Sequence, residues 1–434
     1  MKKMILVLSL IVLTCILIGC ADKKSGDKGL TIWVERYFSD VANEATEKRI
    51  NQYASEMGIK VNVEFISAID YMTKLNASIE AGVVPDVTVG NPYKVLSYFP
   101  NNPYLDISDI VYDIDSERKM LDSMINGTKI DGKNYFAPYI GSSSMLFVRK
   151  DLLDKHNIPL PTTWDEIFDA AVKISDPANG IYGLGMGSGP TDEDGENTFR
   201  MLMWNYGGSL LDANGNIRTT PEPNTVALLT KYRELFEAGA IPPASTTWDP
   251  GGNNSSYLLG ESAIVLNAPT LWTALQSDEN YKEIFENTVI LNTPKGTVDD
   301  TVVLGLPYGW SIMQDSDNIE EATRFVKYMF ADDWYDSYME TVAPVFGPIF
   351  ADSKDLSIWN DGSVNQKAYE YNAEASGYYG YPATAIEDRA LASKHYFLFP
   401  FAAMLNSVVT SNITPEDAVM NLYKSLAETE SSLD

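Results

Sequence analysis

Between Leu30 and Val89 the sequence alternates short β-branched runs with amphipathic stretches, a rhythm that few folds accommodate. Leu30-Thr31-Ile32-Trp33-Val34 reads as a strand. Ile50, Tyr53, Ala54 and Met57 follow at the spacing of one helix face, and Gly58 is placed to stop that helix. Val61 to Phe65 alternates as a second strand, Met72, Leu75 and Ile79 mark a second helix, and Val83 to Val89 reads as a buried strand containing Pro85-Asp86. Strands that alternate with helices predict βαβ units, a largely parallel sheet and an α/β fold.

The 434 residues are enough for two such units. Asp131-Gly132 predicts a tight hairpin turn, and the rhythm restarts at Met145-Leu146-Phe147-Val148, which predicts a second lobe. Its first helix opens on Thr163 with Glu166 three residues on, a capping box. Asp212-Ala213-Asn214-Gly215-Asn216 has the acids of a calcium loop. The glycine that such a loop needs is Ile217, so an Asn-Gly hairpin is the better reading. Ala263–Leu266, Val289–Leu291 and Trp310–Met313 read as further strands. The chain ends in a helix capped by Thr414 with Pro415 at its first position.

At the other end, Lys2-Lys3, an apolar run from Met4 to Gly19 and then Cys20 make a secretory signal. The run falls short of the roughly 20 residues that span a bilayer. Leu17-Ile18-Gly19-Cys20 resembles the bacterial lipobox, which implies cleavage after residue 19 and a diacylglyceryl group on Cys20. Residues 20–29 then form a lipidated flexible tether, and the protein sits on the extracellular face of the cell membrane. Cys15 leaves with the signal, so no thiol remains for a disulfide or a metal site.

Much chemistry is missing. A formal charge of −28 with no basic block argues against nucleic acid as a partner. There are two histidines: His156 reads as an exposed helix end, and His395 as packing beside Tyr396. No Gly-x-Ser-x-Gly elbow, nucleotide-binding glycine turn or zinc ligand set is present, so no catalytic residue, cofactor or metal is expected.

Seven segments in order resemble one family. They are Leu30-Thr31-Ile32-Trp33 with Gly58-Ile59-Lys60-Val61; Ala81 to Val87; Asp131 to Tyr139; Phe147 to Leu152 with Pro161-Thr162-Thr163-Trp164-Asp165-Glu166; Leu259 to Val265; Asn267 to Trp272; and Thr414 to Ala418. The chain resembles the bacterial extracellular solute-binding proteins of ABC importers, the maltose-binding-like family 1 group. It departs from the pattern at Val148-Arg149 and at Ala268.

The resemblance implies a periplasmic-binding-protein-like fold of two α/β lobes, with a ligand cleft between them and about three hinge crossings. Residues 30–138 plus 292–342 would form one lobe, and 142–288 plus 346–434 the other. It also implies a monomer with a small-molecule ligand and the permease subunits of an ABC transporter as partners. Sugars offer apolar faces and a rim of hydroxyls, so aromatic and polar residues on cleft loops are the candidates. These are Glu35, Arg36 and Tyr37 after the first strand, Asn91 and Tyr93 after the third, and Tyr139 at the crossover. Trp204, Trp248, Trp272, Trp310 and Tyr379 complete the set, with Asp70, Asp194 and Asn267 ranked below them.

An oligosaccharide is the expected solute. A cationic one is the rival within the binding class, since Glu35, Asp70 and Asp194 could line an acidic cleft. Two other classes compete: an extracellular carbohydrate-active enzyme, which needs two carboxylates about 5–10 Å apart, and a ligand-sensing partner of a receptor kinase.

Overall fold

The computed structural model describes residues 29–377, 386–411 and 413–431. Cys20 and the signal and tether before residue 29 lie outside these residues, as does Tyr379. In chain order the strands are β1 (Leu30–Glu35), β2 (Val61–Ile66), β3 (Val87–Gly90), β4 (Ala137–Gly141), β5 (Met145–Arg149), β6 (Tyr182–Leu184), β7 (Ser262–Asn267), β8 (Thr288–Leu291), β9 (Val303–Leu304), β10 (Pro307–Ile312) and β11 (Ala375–Gly377), beside a two-residue hairpin of Lys129–Ile130 and Lys133–Asn134.

These strands form two main sheets, ordered β2-β1-β3-β10-β4 and β8-β5-β7-β6, plus the pair β9-β11. β1 runs parallel to β2 and β3, and β6 parallel to β7. β10 runs antiparallel to β3 and β4, and β5 antiparallel to β7 and β8. Both sheets are therefore mixed, not largely parallel. A strand that arrives from the other lobe is not the return arm of a local βαβ unit, so that unit does not fix its direction.

Local signals set the element ends. Ser39 caps the helix Asp40–Met57 and Gly58 ends it at φ 63°. The Thr163–Glu166 capping box is formed at the head of Trp164–Ile174. Asp131 and Gly132 both have positive φ, as the tightest hairpin turn requires. Asp212 to Asn216 closes as a hairpin loop, with the Asp212 carboxylate accepting from the Asn214 and Asn216 amides. The strand expected from Val83 begins only at Val87. Pro85 has no N–H to give a ladder, and the Asp86 carboxylate takes the Thr31 amide at 2.8 Å.

Side-chain alternation splits the burial. In β5, Met145 and Phe147 join the core that continues from the first sheet, while Leu146 and Val148 face the helices Trp164–Ile174, Glu193–Asn205, Pro400–Thr410 and Pro415–Ser431. Residues between Phe346 and Ala375 pack into the first core, the helices Pro400–Thr410 and Pro415–Ser431 pack against the second lobe, and Ile386–Tyr396 lies between Pro415–Ser431 and the first-lobe helix Pro92–Leu96. The chain crosses between sheets at 142–144 and again over 292–306. Beside the first crossing, Asn372 donates to the carbonyls of Gly141 and Pro348 and accepts from Ser143, which ties three segments together.

Candidate functional site

In the first sheet β1 lies between β2 and β3, so the chain leaves one side of β1 and returns on the other. The carboxyl ends of strands flanking such a switch point open a crevice. Here those ends carry Glu35 on β1 and Asn91 to Lys94 after β3. In the second sheet the parallel strands β6 and β7 end at Leu184 and Asn267. From Leu184 the chain runs through Gly185–Gly189 to Asp192, which heads the helix Glu193–Asn205. The two edges meet: Glu193 lies close enough to Glu35 for its charge to bear on that carboxyl, and the Tyr308 hydroxyl feels both.

The wall on the first lobe is built on an ion pair. Lys94 Nζ is 2.5 Å from Glu35 Oε1, and the side chains are 4% and 5% exposed. Lys94 also lies 5.1 Å from the Tyr71 ring and 5.7 Å from the Tyr93 ring. Burial pushes the Glu35 carboxyl up, Lys94 pulls it partly back, and Glu193 adds to the rise. Glu35 Oε2 and Asn91 Oδ1 are buried with no hydrogen-bond partner. Two buried acceptors at one crevice are costly unless something donates to them.

The facing wall is acidic. Asp192 Oδ1 accepts the Asp194 and Gly195 amides at 3.1 Å each, capping the helix. Burial pushes the Asp192 carboxyl up to about 7 against those two amides, with Asp249 and Glu193 adding to the rise. Burial pushes Asp194 up to about 8, reinforced by Asp192 and Glu193. Asn267 donates to Asp194 at 3.4 Å and to Asn254. Tyr396 OH donates to Glu193 Oε1 at 2.6 Å. Behind it, Glu196 accepts the Phe401 and Ala402 amides and pairs with Arg200, which sits 5.5 Å from the Tyr396 ring. This buried set holds Tyr396 in place. The glycines leading into this wall are needed for close approach: a Cβ on Gly187 would lie 1.6 Å from Asp192 Oδ2, and one on Gly189 1.8 Å from the Trp248 carbonyl oxygen.

Two mixed sheets with a crevice at their facing strand ends are the frame of a binding cleft, and the family comparison agrees. The sequence model of the family described as bacterial extracellular solute-binding protein matches residues 38–336. The chain belongs to that family. This solute-binding protein is 23% identical over 372 residues to a maltooligosaccharide ABC transporter solute-binding lipoprotein of Streptococcus pneumoniae (strain ATCC BAA-255 / R6), covering 78% of this chain and 80% of that one. Two solved structures share the fold. One is an ABC transporter solute-binding protein from Agrobacterium radiobacter K84 in complex with ribitol (TM-score 0.74, 20% identity, 93% of this chain and 99% of that one). The other is a sugar transporter protein from Arthrobacter chlorophenolicus A6 with bound laminaribiose (TM-score 0.77, 16% identity, 92% and 99%). A solute-binding role for an ABC importer follows from this membership.

The crevice of this solute-binding protein gathers only part of the expected set. Glu35, Asn91 and Tyr93 stand together on the first lobe, with Asp194 and Asn267 opposite. Trp248 is half-buried over the Gly187–Gly189 turn of the second wall. Tyr37 is buried, its ring edge-on to Tyr308 and Phe346. Arg36 points to solvent and pairs with Asp40 at 2.8 Å, and Asp70 is likewise exposed beside Ser67.

Trp310 and Tyr139 correct the expectation. Both are fully buried under the helical layer, edge-on to each other with Phe325 and Phe330 around them. Regular alternation would put Trp310 on the same face as Tyr308; β10 carries a register shift between Tyr308 and Gly309, and Trp310 packs on Tyr139 and Phe325 while Tyr308 packs on Tyr37 beside Asn91. Trp204 is a core residue of the second lobe, close under Gly377, and Trp272 packs on Phe285 at 4.8 Å. Lys94, Tyr308, Glu193 and Tyr396 were not singled out as ligand residues. The Asn91-Pro92 helix start was the only local sign of Lys94, and nothing near Tyr396 in the sequence points to Glu193.

Proposed function

We propose that this protein captures a hydroxyl-rich solute, an oligosaccharide, between its two lobes and delivers it to an ABC permease without chemically altering it. The observation that carries this reading is the pair of unpartnered acceptors, Glu35 Oε2 and Asn91 Oδ1, buried where the lobes meet. Sugar hydroxyls are the donors these atoms lack, and the half-buried ring of Tyr308 beside Asn91 offers a face for the C–H side of a pyranose. Contacts to both walls at once favour closure, because only the closed arrangement provides them together. The relatives named above as binding maltooligosaccharide and laminaribiose support the same class of solute.

The lobe built on 30–138 and 292–342, with 346–375 packed into its core, would close over the one built on 142–288 and the last two helices. Lipidation at Cys20 would hold the protein at the outer membrane face, where a tether raises its concentration at the permease. Calorimetry of the chain lacking residues 1–19 against a panel of glycans and polyols tests the reading, with chromatography of the same mixtures for products. Heat of binding with no products supports it. Turnover of any glycan would instead establish the enzyme, and heat from no carbohydrate at all would remove the sugar.

A further inference from the structure

We propose, resting on the sugar reading above, that the solute reaches past the crevice into an outer subsite on the first lobe, where the ring of Phe38 carries a further sugar unit. Phe38 is 79% exposed, and the turn around it is built to keep it so. Tyr37 before it is buried, edge-on to Tyr308 and Phe346, and Ser39 after it caps the helix Asp40–Met57. Asn43, itself buried, spends its whole amide on this turn. Its Oδ1 accepts the Tyr37 amide at 2.9 Å, and its Nδ2 donates to the Tyr37 and Ser39 carbonyls at 2.8 and 2.9 Å. A buried amide that grips the backbone on both sides of one residue fixes where that residue points. The ring is therefore held out in advance, which lowers the ordering cost of stacking on it.

The ring also stands at a hollow. The sheet order β2-β1-β3 puts the crevice between the carboxyl ends of β1 and β3, and the ends of β1 and β2 flank a second, shallower pocket beside it. That pocket measures about 320 Å³ and is lined by Arg36 to Asp40 on one side and by Ser67 and Ala68 on the other. Its size matches the smaller ligand sites, which run from about 300 to 1,000 Å³. Arg36 and Asp40 form an exposed pair here at 2.8 Å, through one guanidinium nitrogen and one carboxylate oxygen. The rest of the guanidinium can donate and the second oxygen can accept. A flat apolar face with a donor and an acceptor at its edge fits a pyranose ring. Glu35 and Arg36 are consecutive, so a solute whose hydroxyls meet Glu35 Oε2 has this pocket next to it. A protein partner fits less well. Phe38, Val41 and Ile69 are the exposed large apolar side chains on these two turns, too few for an interface that covers roughly 800 Å² per partner.

Chain length is the test. The chain lacking residues 1–19 is titrated calorimetrically with maltose-type and laminaribiose-type glucose oligomers of two to seven units, and with monosaccharides and polyols. Affinity should rise at least roughly tenfold between two and five units. Phe38→Ala should cut that rise to less than about threefold, and Phe38→Trp should keep it. Both variants should melt with the parent, because the ring lies outside the core. A full rise that survives in Phe38→Ala would place the outer unit elsewhere and overturn the subsite. An equal loss at every length would put the ring inside the crevice and overturn it as well. Affinity that is flat with length, or heat from monosaccharides and polyols alone, would overturn the subsite and leave a hydroxyl-rich solute in the crevice. Heat from no carbohydrate would remove the sugar reading and the subsite with it.

Discussion

Tyr93 and Tyr396 lie ring against ring across the lobes, their centroids 4.8 Å apart at 60°. Tyr93 rides on the short helix after β3, and Tyr396 ends the helix Ile386–Tyr396 and holds Glu193 through its hydroxyl. One aromatic pair thus touches both walls of the crevice and one of its carboxylates. Tyr396→Phe keeps the ring and removes the hydroxyl. Losing one charge-assisted hydrogen bond costs about 1.5–3 kcal/mol of folded-state stability, so the melting temperature should fall, and solute affinity should fall with it because the same link joins the two walls. Calorimetry and small-angle scattering check this, and an unchanged affinity would show that the Glu193 link plays no part in the bound state.

Lys94→Met leaves the Glu35 carboxylate buried with no counter-charge. Removing one partner of such a pair costs about 3–5 kcal/mol, and urea unfolding should show a loss of that size. Adding Glu35→Gln should recover most of it. A single variant as stable as the parent would mean that the pair opens to water.

Trp310→Ala should destabilise the protein by about 3–5 kcal/mol, the cost of emptying a packed aromatic site. The folded fraction should bind solute as before, because the indole faces Phe325 and Tyr139 and not the crevice. A selective loss of binding at unchanged stability would contradict that placement.

His395 is 3% exposed, and burial lowers it to about 4, helped by Arg200. Its unfolded value is near 6.5, so the unfolded chain binds the proton first as pH falls. The stability tied to keeping it neutral is complete above about 6.5 and is lost as pH falls through 4, a change on the order of 3 kcal/mol. His395→Gln should flatten the melting temperature across that window relative to the parent. Asp194 has the opposite sign: its carboxyl is raised to about 8, so the stability tied to its proton is complete below about 4 and is lost as pH rises through 8. Asp194→Asn should remove part of the fall in stability between about pH 4 and 8, with Asp192, raised to about 7, keeping the rest.

The lipobox resemblance of Leu17 to Cys20 makes a prediction about place. Cys20→Ser should release the protein from the membrane fraction into the medium or periplasm, with solute affinity unchanged. Continued membrane association of that variant would count against the lipid anchor.

Elements whose causes lie within a few residues were legible in advance. The Thr163–Glu166 box, the stop at Gly58 and the Asp131-Gly132 turn each depend on a local hydrogen bond or a local φ. Glu35, Asn91 and Tyr93 were legible for a related reason: they follow buried strands, and the carboxyl ends of such strands open on the crevice. Trp310 was not. Its place in a strand was clear, but the face it takes depends on how β10, arriving from the other lobe, registers against β3 and β4.

The sequence by itself determined the α/β rhythm, the two-lobed family frame and the positions where crevice residues could stand. Short-range chemistry and hydrophobic period specify those without reference to the rest of the chain. Tertiary structure alone decided which of those positions meet. It set Tyr396 on Glu193 across 203 residues, seated Lys94 against Glu35, and turned Trp310 inward. Such contacts are chosen by packing between distant segments, and no local pattern in the sequence encodes them.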